Sequence, residues 1–202
     1  MSTSNNNPKG ILLILIGMAL FSIQDSLIKY VFEDLSLYEL YFGRTFVATV
    51  WLFSFLLISK KKIVFKTHYP LLTLLRVILF FIGFSSFYIS LSFMTLAMAN
   101  ALFFSSPFFM SIFAKIFLKE DIGVRRWSAI VVGFLGVVVV LNPDFSNFNY
   151  FNLLPVLCAF CYAASMTITK ITSDKDGVYT QMIHLYMAAI TFSLIIYYFA
   201  GK

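Results

Sequence analysis

Residues 97–118 read AMANALFFSSPFFMSIFAKIFL. Such a run fits a bilayer, because about 20 apolar residues rising 1.5 Å each cover the ~30 Å hydrocarbon core. It shows no alternation of period two, and lipid admits only helices and closed barrels, so a membrane-crossing helix is the reading. Its one charge, Lys115, lies near one end, where a long stem carries the ammonium to the headgroups. Pro107 lies near the middle. There it removes a backbone hydrogen bond and clashes with the carbonyl four residues back. Carbonyls freed at that depth must be satisfied by protein or water, which is how transporters build sites from interrupted helices. A simple kink bonded by Ser105 and Ser106 is the equal alternative.

The rest of the chain is of the same kind. Its 202 residues are 60% hydrophobic and 19% aromatic, with only 12% charged and a mean hydropathy of +0.89. A water-soluble domain would carry about a quarter charged residues. The exposed surface therefore faces lipid, which excludes soluble enzymes, disordered regulators and secreted disulfide scaffolds. Seven apolar runs follow, at 10–32, 36–58, 71–93, 97–118, 124–141, 151–170 and 178–199. The expected fold is an all-α polytopic membrane protein of about seven transmembrane helices, with a polar tail at 1–9 and a turn-rich linker at 143–150 holding Asp144.

The net charge of +6 does not indicate a nucleic-acid partner, because the cations mark loops. Lys9, the cluster Lys60, Lys61, Lys62 and Lys66, then Lys119, Arg125 and Arg126, then Lys170 and Lys175 all fall on one side when the runs are threaded. Glu33, Asp34 and Asp144 fall on the other. Cytoplasmic loops hold the excess of Lys and Arg, so the N-terminus is expected inside. Cys158 and Cys161 have no second pair to complete a metal site and read as packing residues. With His68 and His184 as the only histidines, and no facing catalytic carboxylates, an enzyme is not expected. No cofactor or metal is expected either.

Ionisable residues within membrane helices are functional candidates, since each is costly there. Asp25 and Arg44 stand at similar depth on adjacent runs, and Asp25 and Lys29 share a helix face four residues apart, so the three are expected to form a polar cluster. Ser22, Asp25, Ser26 and Lys29 make a stripe that must face protein or water. Arg76 is shallower, and burial and snorkelling are balanced readings for it. Asn100, Pro107, Ser111 and Lys115 fall on one face of the fourth run. Tyr162 and Ser165, with Cys158 and Thr169, make a similar face on the sixth. His184 lies beside Gln181 in the seventh, as a bonded packing histidine before a proton relay. Gly133 and Gly136 are expected to pack helices closely inside the chain, with homodimer formation as the alternative.

FSIQDSLIKY in the first run, YFGRTFVA in the second, and the block from Ala99 to Pro143 together resemble the EamA repeat of the drug/metabolite transporter superfamily. The likeness rests on the aromatic-x-Arg of the second helix, the mid-helix proline of the fourth, Glu120, Trp127 and the glycines before Asn142-Pro143. The resemblance implies one five-helix repeat over 10–142 and the first two helices of an inverted second repeat over 151–202, in a chain that looks C-terminally truncated. In the second stretch Met166 and Leu185 stand where Asp25 and Arg44 would recur. It further implies a secondary carrier in a bacterial plasma membrane, moving a small organic metabolite by alternating access and coupled to a solute, proton or sodium gradient. A Walker-type loop for ATP is absent. The rival readings are a non-transport accessory or flippase-type subunit, and a fragment inactive without its missing helices.

Overall fold

The computed structural model describes residues 7–31, 37–60, 64–141 and 150–200. The described residues form α1 (Asn7–Val31), α2 (Leu37–Ile58), α3 (Pro70–Ser90), α4 (Leu96–Phe103), α5 (Ser106–Phe117), α6 (Val124–Leu141), α7 (Leu153–Thr172) and α8 (Val178–Ala200), with a 3-10 turn at Tyr150–Asn152. With α4 and α5 taken as one interrupted rod, these helices fall on the seven apolar runs. The chain is an all-α polytopic membrane protein. Pro70–Ser90, Leu96–Phe117, Tyr150–Thr172 and Val178–Tyr198 are long and apolar enough to cross a bilayer, and Gly10–Gln24 and Phe42–Ile58 are shorter apolar stretches.

Residues 1–36, with α1, form one unit and residues 37–202 another. In the second, α3 packs most extensively, against α7; α2 lies along α8, and α5 along α7. The packing is that of a lipid-bathed bundle. On α3 the outward side chains Leu71, Leu74, Leu75 and Ile82 are exposed, while Thr73, Arg76, Ser86 and Ser90 are buried with Val77, Phe87 and Tyr88. Gly83 lets α3 and α7 touch: a Cβ on it would meet the Cβ of Cys161 at 3.0 Å and the carbonyl oxygen of Cys158 at 3.4 Å. Both cysteines are buried thiols that form no disulfide among the described residues, as the packing reading expected.

The fourth run breaks where Pro107 requires it. Pro107 stands in the first turn of α5, where its missing N–H is one of the helix's unpaired donors in any case. The residues on either side of it close tighter turns, Ser105 N–H to the Leu102 carbonyl at 3.1 Å and Phe108 N–H to the Ser105 carbonyl at 3.0 Å. The turn preceding this rod covers residues 91–95, and it ends where the Thr95 hydroxyl accepts from the Met98 N–H at 3.3 Å and starts α4 at Leu96.

Gly133 and Gly136 depart from expectation. Both are exposed and a Cβ on either would meet nothing within 4 Å, so among the described residues they pack no helix closely. The glycines of α6 open outward, and Gly83 makes the close approach.

Candidate functional site

Three polar groupings stand against or between the helices of the second unit. The first lies at membrane depth. Arg76 is only 5% exposed, about 9 Å along α3 from Pro70. Its Nη2 donates to the Gln181 carbonyl at 2.6 Å, and its Nη1 to Gln181 Oε1 at 3.3 Å and Thr169 Oγ1 at 3.4 Å. Ser165 Oγ donates to the Arg76 carbonyl at 3.4 Å. Arg76 thus joins α3 to α7 and α8 and does not snorkel. All these acceptors are neutral, and no carboxylate forms an ion pair with Arg76 among the described residues. Its Nε–H is buried without a partner among them.

The second grouping is aromatic. Arg44, half-buried on α2, donates from Nη1 to the Tyr88 hydroxyl and stands over the Phe84 ring with 5.5 Å to the centroid. From there the rings run in series: Phe84 to Tyr88 at 6.2 Å, Tyr88 to Phe87 at 6.2 Å, Phe87 to Phe103 at 5.8 Å, and Phe103 to Tyr162 at 5.6 Å. Tyr162, Ser165 and Thr169 occupy one face of α7 at spacings of three and four, so the aromatic series ends on the face that reaches Arg76.

The third lies in the loops at the end where α3 begins and α7 stops. The buried Asp176 accepts from the Thr67 hydroxyl, from the His68 N–H at 3.0 Å and from His68 Nδ1 at 2.8 Å. Burial pushes its carboxyl upward, but these hydrogen bonds and the His68 charge outweigh that and hold it at about 2. Tyr69 donates to Asp174 Oδ2 at 3.1 Å, with the Lys175 ammonium 5.4 Å from its ring centroid. Gln181 ties this clasp to the first grouping, its Nε2 donating to the Asp176 carbonyl at 3.0 Å. Beside it Glu120 accepts from Lys170 and pairs with Arg126 at 3.6 Å. Those hydrogen bonds and charges, Lys170 first, hold the Glu120 carboxyl below its ordinary range. That pair is solvated, so Glu120→Gln is expected to shift the detergent unfolding temperature by no more than about 2 °C, and by nothing in 1 M salt. A larger, salt-independent shift would show the pair to be structural.

Of the other sequence candidates, Ser111 is buried with its Oγ unpartnered among the described residues, Asn100 is half-buried on α4, and Lys115 is exposed. His184 is half-buried and its Nδ1 donates to the Thr180 carbonyl at 2.8 Å, the packing role. The side chains of Asp25 and Lys29 lie outside the described residues, as do residues 142–149 of the linker. Gln181, Thr67, His68, Tyr88 and Asp176 were not among the sequence candidates; a polar residue one turn inside α8 was the only signal for Gln181.

Residues 8–142, helices α1 to α6, match the model of the EamA-like transporter family. The chain belongs to that family. Among curated relatives it is 32% identical over 182 residues to the S-adenosylmethionine uptake transporter of Rickettsia bellii, covering 90% of this chain and 62% of the relative. It is 39% identical over 105 residues to a riboflavin transporter of Rhizobium johnstonii, covering 52% of this chain and 35% of that one. It is 25% identical over 183 residues to the pseudopaline exporter CntI of Pseudomonas aeruginosa, covering 90% and 63%. The EamA-like chain thus spans about three-fifths of the length of the relatives it matches most fully. No solved structure matches it.

Proposed function

We propose that this EamA-like chain moves a small organic metabolite across a bacterial inner membrane by alternating access, driven by a solute, proton or sodium gradient. The observation that carries the reading is the buried Arg76 network joining α3, α7 and α8. An ionisable side chain within a membrane helix is costly, and one that faces the bundle interior and bonds a backbone carbonyl there marks a candidate solute path. The pathway residues are Arg76, Tyr162 and Ser165, continued by Asn100, Pro107 and Ser111 on the interrupted rod. On α2, Arg44 is the further candidate, bonded to the Tyr88 hydroxyl and standing over the Phe84 ring.

The proposed architecture is one repeat over 10–142 and the opening of an inverted second over 151–202. The pairing of α3 with α7 and of α2 with α8 supports that arrangement, since sites of inverted-repeat carriers lie where the repeats meet. The positions of the loop cations support an N-terminus inside. The named solutes of the relatives make S-adenosylmethionine the first to test, and riboflavin the second. Cells expressing the chain are expected to accumulate labelled S-adenosylmethionine at least about tenfold faster than cells lacking it, and dissipating the membrane gradients should abolish the gain. Equal uptake for both metabolites with and without the chain would reject the reading.

A further inference from the structure

We infer that Arg76 receives a carboxylate of the transported solute, whose flat aromatic end stacks against Tyr162 and Phe103; this rests on the transport reading and names its substrate class.

The argument begins with unfinished hydrogen bonding. Arg76 cannot shed its proton, so it is a permanent cation, and it is 95% removed from solvent. Its Nη1 is committed to Thr169 and Gln181 and one bond of Nη2 to the Gln181 carbonyl, while Nε–H has no partner among the described residues. Buried polar groups are normally satisfied, and a buried cation normally has an anion in contact; the Asp176 carboxylate acts on Arg76 only from a distance and none touches it among the described residues, so the side chain is short of contacts on both counts. A carboxylate answers both. It supplies an anion in direct contact, and its two oxygens match the fork formed by Nε–H and the neighbouring Nη2–H. A phenol, amide or carbonyl would supply a bond without the charge.

The second element is spacing. Tyr162 and Thr169 are two turns apart on one face of α7, a rise of about 10 Å. Thr169 touches the Arg76 guanidinium, and Tyr162 ends the aromatic series with its ring 5.6 Å from Phe103. A solute bridging these two points carries a carboxylate at one end and a planar ring about 10 Å away, where stacking on aromatic faces contributes ring recognition. S-adenosylmethionine has this form, with an amino-acid carboxylate and an adenine; riboflavin has the ring but no carboxylate.

Binding to the detergent-purified chain is measured with S-adenosylmethionine, its carboxyl methyl ester and riboflavin, on the wild type and on Arg76→Lys, with uptake followed in parallel. The acid is expected to bind the wild type at least about tenfold more tightly than the ester. Arg76→Lys, which keeps a charge but loses the fork, should weaken the acid about tenfold and leave the ester unchanged. The acid–ester comparison uses the wild type alone, so a variant that fails to fold does not spoil it. Equal binding of acid and ester, or no binding of either, overturns the inference. Uptake that ignores the carboxylate would remove it and leave the transport reading standing. Carboxylate-dependent binding without any uptake would do the reverse.

Discussion

Asp176→Ala lowers the stability of the folded chain by about 3 kcal/mol, and protease reaches the segment from Val64 to Tyr69 far more readily in the variant. This is the expected result because one buried carboxylate holds the Thr67 hydroxyl, the His68 N–H and the His68 ring. Hydrogen bonds to a charged group are worth about 1.5–3 kcal/mol each, and their loss leaves the donors to find water. Asp176→Asn should fall between, since an amide offers one acceptor oxygen and turns a donor toward donors.

The acid response follows from the same group. The Asp176 carboxyl lies at about 2 in the folded chain against an ordinary 3.8, so the unfolded chain binds its proton first as pH falls. Its contribution is complete above pH about 4 and is lost as the pH drops through about 2. Thermal unfolding in detergent at several pH values should show a loss over that window in the wild type and a flatter profile in Asp176→Ala. An unfolding temperature for Asp176→Ala equal to that of the wild type at neutral pH would show that the clasp holds nothing.

Gly83→Val is the second large effect. A single Cβ there already stands 3.0 Å from the Cβ of Cys161 and 3.4 Å from the Cys158 carbonyl oxygen, inside the most extensive helix pair of the chain. Two further methyl groups cannot be seated without moving α3 from α7, and overpacking of this kind costs about 1–3 kcal/mol. The separation would also draw Arg76 away from Thr169, so solute binding should fall with stability. The contact can be tested in pieces. Gly83→Ala should be destabilising alone and recover when combined with Cys161→Gly, because the 3.0 Å contact is then removed. A Gly83→Val chain as stable as wild type would disprove the close approach.

The helices were legible because lipid imposes a simple rule: each crossing needs an apolar run of fixed length, and Pro107 interrupts its run by a local covalent constraint. The inward face of α7 was legible for the same reason, since Tyr162, Ser165 and Thr169 are the polar and aromatic exceptions at helical spacing. What escaped was register between helices distant in sequence. Arg76 meets Gln181 only because α3 and α8 converge at one height on α7, and nothing local to either residue encodes that. Asp176 escaped for another reason. In SDKDG it looks like one more polar turn residue, and its burial comes wholly from the opposite loop. Gly133 and Gly136 make no close approach among the described residues because a small-residue pattern does not say which neighbour it serves, and Gly83 makes that approach inside the chain instead.

The two ends of the bundle are held by unlike chemistry. Where α3 begins, the loops are joined by a carboxylate, hydroxyls, a histidine and solvated ion pairs. Where α3 ends, Phe93 and Phe151 lie face to face with ring centroids 3.8 Å apart and planes 6° from parallel. Acid and salt loosen the first kind of contact and scarcely touch the second. Among the described residues the contacts therefore have a chemical sidedness: in a sealed vesicle, protons or electrolyte in one compartment act on the Asp176 clasp, while the Phe93–Phe151 stack facing the other does not respond to them.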